Sequence, residues 1–213
     1  RFRSNRLVIA ERLAADFYGN DQYPRDQNGY PVGFGRTSQR VLLPAFLAAY
    51  TPGNASDVSL GAFRSFPLPN WNLKYTGLMK IDWFKKRFKR FSINHGYQAG
   101  YTINQFRTNL NYDTDLNNDP SDAQTNQAGD FMNSMLYSNI NLTELFSPLI
   151  RLDFEMNNSV KILAELRKDR TLSLSFDNNL LTEIHGNEYI IGLGYRLKDI
   201  RFATRIGGRQ TVL

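Results

Sequence analysis

The sequence predicts an all-β membrane fold, in which antiparallel barrel strands follow a small helical insert near the start. Three observations predict it. Several stretches alternate apolar and polar residues with a period of two. Tyr and Trp gather on the apolar rows, and charges gather on the opposite rows. The connections include both a tight turn and long polar loops, as in outer-membrane barrels.

Composition narrows the class. The 213 residues carry a net charge of +6 and no cysteine. Mean hydropathy is −0.45. The longest apolar run, Val41–Tyr50, is interrupted by Pro44. A membrane helix needs roughly 20 apolar residues, whereas a membrane strand needs about 9–11, with only alternate ones apolar. A helical membrane protein is therefore excluded and a barrel is not. The lack of cysteine suits the outer membrane or periplasm without discriminating between classes. The chain has no initiator Met and no signal-peptide pattern, so an internal segment of a longer protein is expected.

The first element is an irregular, partly helical insert over 1–69. Leu7, Val8, Leu13 and Ala14 recur near a 3.6-residue period within Asn5–Phe17. Residues 18–35 are rich in Gly, Pro, Asn and Asp and read as loop. Thr37–Tyr50 is a second helix, capped by Ser38 or opened at Pro44. Residues 51–69 return to loop.

Barrel strands are expected over 70–199. Trp71, Leu73 and Tyr75 begin the alternation. It is cleanest from Phe91 to Ile103, where Phe91, Ile93, His95, Tyr97, Ala99, Tyr101 and Ile103 oppose Ser92, Asn94, Gly96, Gln98, Gly100 and Thr102. That stretch is more than twice the usual soluble strand of about 5–6 residues. Further alternation occupies Ile150–Met156, Val160–Arg167, Thr171–Phe176 and Glu188–Leu197, and more weakly Leu136–Leu142. About five or six spans result. The smallest membrane barrels need eight strands, and an open edge in lipid leaves backbone groups unpaired. The outer strands are therefore expected to pair with chain beyond this sequence. Asn157-Asn158-Ser159 is a tight hairpin turn, expected on the periplasmic side with the basic stretch Lys80–Arg90. The polar loop Asp113–Asp130, and Asp177–Asn187, are expected outside. Residues 200–213 read as a loop leading to the next strand.

The faces assign roles. Trp71, Tyr75, Phe91, Ile93, Tyr97, Tyr101, Leu152, Phe154, Tyr189, Leu193 and Tyr195 are expected to face lipid or form its aromatic girdle. Asn94, Gln98, Asp153, Glu155, Lys161, Glu165 and Arg167 are expected to line a wet lumen. A charge on the lipid face at mid-depth would cost about 2–4 kcal/mol. Lys85, Lys86, Arg87, Lys89 and Arg90 form the basic periplasmic turn. Trp83, Phe84 and Phe88 lie among them, which suits an amphipathic turn at a membrane surface better than nucleic acid.

The sequence predicts no catalytic, cofactor-binding or metal-ligating set. Its two histidines, His95 and His185, stand apart, the first on an apolar row and the second in an expected loop. No serine motif completes a triad with His95. The Gly33–Ser38 segment lacks the Gly-Lys-Ser/Thr ending of a phosphate loop. Asp113-Thr114-Asp115-Leu116-Asn117 begins like a calcium loop. Asn118 stands where Gly is required and Gln124 where the closing Glu belongs, which leaves only loose calcium binding open.

Several stretches together resemble one family. Gly35-Arg36-Thr37-Ser38-Gln39 runs into Leu43-Pro44-Ala45-Phe46-Leu47-Ala48-Ala49-Tyr50, and Pro67-Leu68-Pro69-Asn70-Trp71 and Gly77-Leu78 follow. His95-Gly96-Tyr97, Leu145–Ile150, Arg170–Phe176, Leu181-Thr182-Glu183 and Asn187–Arg196 complete the ordered set. The set resembles the SprA/Sov family, the outer-membrane translocon of the type IX secretion system, from about Gly35 to Asp199. The resemblance implies a very large single-chain antiparallel barrel in the bacterial outer membrane, in a system tied to gliding motility. It implies export of folded cargo bearing a C-terminal signal. The implied partners are outer-membrane lipids, the rest of the same barrel chain, cargo, a shuttle barrel and a periplasmic plug. It implies no catalytic residue and no cofactor. Another outer-membrane barrel, such as a TonB-dependent transporter or a porin, and a soluble β-sandwich binding module are the alternatives.

Overall fold

A computed structural model describes residues 1–63, 67–116, 122–197, 203–206 and 209–212. The chain forms two compact units. One comprises 1–68, 100–142 and 171–183, and the other 69–99, 143–170 and 184–213.

In the first unit, helix α1 spans Phe2–Tyr18 and buries Ile9, Ala10, Leu13 and Ala14. These positions share one face at helical spacing. It stops at Gly19, whose φ of 68° is left-handed and whose N–H donates to the Ala15 carbonyl. Helix α2 spans Gln39–Tyr50 and buries every residue from Val41 to Ala48. A helix apolar all round belongs inside a core. It begins at Gln39 and carries Pro44 internally, so of the two predicted starts the earlier one holds. Two packed clusters result. Ile9, Leu13, Phe34, Val41 and Phe131 form one. Leu42, Phe46 and Leu47 meet Ile140, Leu142, Leu172 and Leu174 in the other, with Tyr101 and Ile103 packed against it.

The sheet is antiparallel and five-stranded, in the order β1-β2-β3-β4-β5. Its strands are β1 Trp71–Tyr75, β2 Phe88–Thr108, β3 Met135–Met156, β4 Val160–Ser175 and β5 Leu181–Tyr195. β1 pairs with β2 in the register Trp71↔Tyr97 to Tyr75↔Ile93. The strands β2 to β5 run 21, 22, 16 and 15 residues, far beyond the usual ~5–6. β3 joins the weak stretch at 136–142 to the strong one at 150–156, and β4 likewise spans the two stretches at 160–167 and 171–175. Between β1 and β2 lie a 3-10 turn, Gly77–Lys80, and a short helix α3, Asp82–Arg87.

Two predicted loops differ from the structure. β5 begins at Leu181, so the predicted loop 177–187 shrinks to the turn before it, and His185 lies in a strand. Residues 203–206 and 209–212 pair as a separate antiparallel hairpin, β6 and β7, where the sequence predicts loop. Their alternating stretches are too short to register as a period. Among the described residues no helix is long and apolar enough to cross a membrane, which says nothing of strands.

Candidate functional site

The feature of the second unit is a sheet with two unlike faces. On β5, Gly192 and Gly194 lie over Leu163 and over Lys161 of β4. Strand alternation then places Tyr189, Ile191, Leu193 and Tyr195 on the other face. The Gly-X-Gly spacing leaves room for the longer side chains of β4.

One face carries a continuous network of ion pairs. Lys89 meets Glu155 at 3.5 Å, and Lys161 meets the same carboxylate at 4.0 Å. Arg90 and Arg151 both reach Asp153, at 3.2 and 3.6 Å. Arg151 also reaches Glu165 at 3.4 Å. Arg167 donates through Nε to Glu165 and through a terminal nitrogen to Glu188, the latter at 3.1 Å. Cations and carboxylates alternate across β2, β3, β4 and β5, so each carboxylate in the row has a cation partner. Glu155 and Glu165 are each only 7% exposed. The predicted lumen residues Asp153, Glu155, Lys161, Glu165 and Arg167 are thus gathered into one network. The two cations of β2 that complete it, Lys89 and Arg90, are predicted only as part of the basic turn. Asn94 lies in register with Lys74, and Gln98 is exposed.

The other face is aromatic and aliphatic. Phe91 stacks on Phe154 at 5.5 Å, and Phe88 meets Phe154 edge-on at 5.3 Å. Trp71, Tyr97 and Phe146 form a second group, with centroids 4.5 and 4.8 Å apart. His95 lies beside Trp71 and Phe146, and its Nδ1 is 2.7 Å from the Leu149 carbonyl. The ring therefore sits among aromatic neighbours with one nitrogen satisfied by the backbone. Tyr97 donates to Glu144, which also accepts from Arg170 at 3.4 Å. Sequence alternation misses this polar trio because Glu144 and Arg170 fall where the period is weakest. Tyr189, Ile191, Leu193 and Tyr195 are 76%, 79%, 77% and 65% exposed. Trp71 and Tyr75 are also exposed, while Phe91, Ile93, Leu152 and Phe154 are half-buried among their neighbours.

Tyr101 departs from the predicted lipid-facing set. It belongs to the first unit, packs against the α2 cluster and donates its hydroxyl to the Ala62 carbonyl. Helix α2 supplies the apolar cover that lipid was expected to give. Only the tertiary fold reveals this, since the β2 alternation runs unbroken through Tyr101.

The basic turn is built on the sheet end. The side chain of Asn157 donates to the Lys86 carbonyl at 2.8 Å, and its backbone N–H donates to Arg87 at 3.2 Å. The tight turn Asn157–Ser159 and α3 therefore share one end of the sheet, as the sequence predicts. Ser159 closes the turn with a φ of 69°.

Elsewhere, the Gly33–Ser38 segment is a clamp. Gly33 has a φ of 83°, and its carbonyl accepts from Phe131. The Gly35 N–H donates to Asp130 at 2.7 Å. Burial raises the Asp130 carboxyl above its ordinary value, against the lowering effect of the Gly35 bond. Asp113 turns its own loop by accepting from the Asp115 N–H. Asn117 and Asn118 lie outside the described residues, while Gln124, at the position of the closing Glu, accepts at its backbone carbonyl from the Met132 N–H. Among the described residues no three His, Cys, Asp or Glu side chains are grouped to hold a metal. Comparison with protein-family models and with curated proteins finds no match.

Proposed function

We propose that this chain is part of the wall of a protein-conducting outer-membrane channel, of the kind that exports folded cargo in type IX secretion. One observation carries the membrane part of this reading. On β5 the apolar row is exposed while the charged rows of β3 and β4 contain nearly buried, mutually neutralised carboxylates. That is the reverse of a strand folded for water. Moving a Leu, Ile or aromatic side chain from water to an apolar phase is favourable by about 1.5–3 kcal/mol each. Lipid supplies that phase along the whole row.

The lengths are sufficient. β5 runs 15 residues, and β2, β3 and β4 run 21, 22 and 16, whereas a tilted membrane strand needs about 9–11. The ordered resemblance to the SprA/Sov family supplies the transport role. In this reading the ion-paired rows face the lumen, and the sheet continues into the rest of the barrel chain. Cargo, shuttle barrel and plug are its protein partners.

A two-part experiment tests this. Spin labels at Ile191→Cys and Leu193→Cys in the parent protein should collide with oxygen and not with an aqueous nickel complex, and a label at Gly192→Cys should do the opposite. Labels shielded from both reagents at 191 and 193 would mean a dry protein core and a soluble sandwich. A photo-crosslinking residue at Lys161 should then capture exported cargo during secretion. Solute flux with no cargo adduct from Lys161 would favour a porin or TonB-dependent transporter.

A further inference from the structure

We infer that the α3 turn is a binding collar for anionic phospholipid headgroups at the periplasmic leaflet. The inference rests on the membrane-wall reading and adds the lipid class that this end of the sheet selects.

The collar combines a wedge with unneutralised charge. Phe84 packs against Phe88 and Phe91, at 5.6 and 5.1 Å, and Phe88 and Phe91 both lie on Phe154. This aromatic stack ties the short helix to the apolar face of β2 and β3. Ile81 and Trp83 remain about half exposed, at 51% and 52%. Arg87 lies over the Trp83 ring, 4.7 Å from its centroid. Such a pair places a guanidinium where the apolar phase ends and headgroups begin.

The cations divide into two sets. Lys89 and Arg90 are engaged with Glu155 and Asp153, and Lys85 lies 3.7 Å from Asp82. Lys80, Lys86 and Arg87 meet no carboxylate among the described residues. The first set belongs to the ladder of the sheet. The second is left as three positive charges beside an exposed Trp and Ile. An acidic protein surface could match the charge alone, but gives no reason for Ile81 and Trp83 to be interleaved with it. A phosphodiester headgroup with its acyl chains matches both.

The test uses the parent barrel on a cysteine-free background, with Ile81→Cys carrying a bimane fluorophore. It is reconstituted in phosphatidylethanolamine vesicles containing equal fractions of brominated phosphatidylglycerol or brominated phosphatidylethanolamine. Quenching by the anionic lipid should exceed that by the zwitterionic lipid at least about threefold. The excess should vanish in a Lys80→Gln, Lys86→Gln, Arg87→Gln variant that still shows the heat-modifiable mobility of a folded barrel. Equal quenching by both lipids in the parent would overturn the headgroup selectivity while leaving the membrane wall standing. Quenching by neither lipid, with shielding from aqueous iodide, would show a protein partner over the turn and also overturn it. Quenching by iodide alone would overturn the membrane placement itself.

Discussion

Ser38 and Asp130 show how single residues of the first unit depart from what their type implies. Ser38 occupies the N-cap position of α2, where Ser→Ala ordinarily costs about 1 kcal/mol. Its hydroxyl makes no cap bond, and its oxygen is buried without a hydrogen-bond partner among the described residues. Ser38→Ala is therefore expected to leave stability unchanged or to raise it, read by denaturant unfolding. A loss near 1 kcal/mol would show that the hydroxyl caps the helix after all. Asp130 is a carboxyl whose value burial raises, with the Gly35 N–H opposing and Asp26 nearby adding to the rise. The folded chain then binds its proton more tightly than the unfolded chain. The sign follows: this group's contribution falls as pH climbs from the ordinary carboxyl value through the raised one, and its burial cost is full above that. Asp130→Asn keeps an oxygen for Gly35 and removes the charge. At neutral pH it should protect the Gly35 and Phe131 amides from hydrogen exchange as well as Asp130 does, or better. Asp130→Ala should weaken that protection by about 1–3 kcal/mol, because the Gly35 donor loses its partner.

At the scale of elements, α2 decides how the first unit packs. Phe46 is wholly buried between Leu42, Leu47 and the strand residues Ile140, Leu142, Leu172 and Leu174. Phe46→Ala should cost about 3–5 kcal/mol through lost transfer and a remaining cavity. The loss should appear as faster hydrogen exchange at Leu172 and Leu174 while the amides of 162–166 keep their protection. The same helix marks the boundary of what the sequence reveals. The start signals at Ser38 and Pro44 mark a helix over Thr37–Tyr50, and the structure forms it over Gln39–Tyr50 with Val41 to Ala48 buried. Those signals do not announce what the helix is buried against, so Tyr101 is misassigned to lipid. Period-two alternation places β1, β2 and the tight turn at Asn157–Ser159 well, because every second residue must satisfy a different solvent. It splits β3 and β4 into two stretches each, because their middles hold Glu144, Pro148, Asp169 and Arg170, which break the pattern without breaking the strand. The ion-paired row is legible as a set of charges. The cross-strand pairing of Lys89 and Arg90 with it depends on register, which alternation leaves undetermined.

At the scale of the whole molecule, the membrane reading makes a prediction that burial in protein does not. In the proposed wall the outward row of β5 runs through the hydrocarbon from Tyr189 to Tyr195, with Ile191 and Leu193 at its middle. Polar His185 and Asn187 precede it on the same row. Arg placed singly at Tyr189, Ile191, Leu193 and Tyr195 should then reduce stability in a depth-dependent profile. The cost should reach about 2–4 kcal/mol at Leu193 and fall toward about 0–1 kcal/mol at the ends of the row. The measurement is reversible folding of the parent barrel into lipid vesicles, followed by denaturant titration. A packed protein interior would give a different curve, set by the neighbours of each side chain and indifferent to its distance from a midplane. Leu163→Arg, on the ion-paired face beside Gly192, serves as the internal control. In a water-lined channel its long side chain reaches solvent, and the change should cost little although its immediate neighbour, Ala164→Arg, should cost nearly as much as Leu193→Arg. A flat profile along β5, or equal penalties at 163 and 164, is incompatible with one face of this sheet resting on lipid.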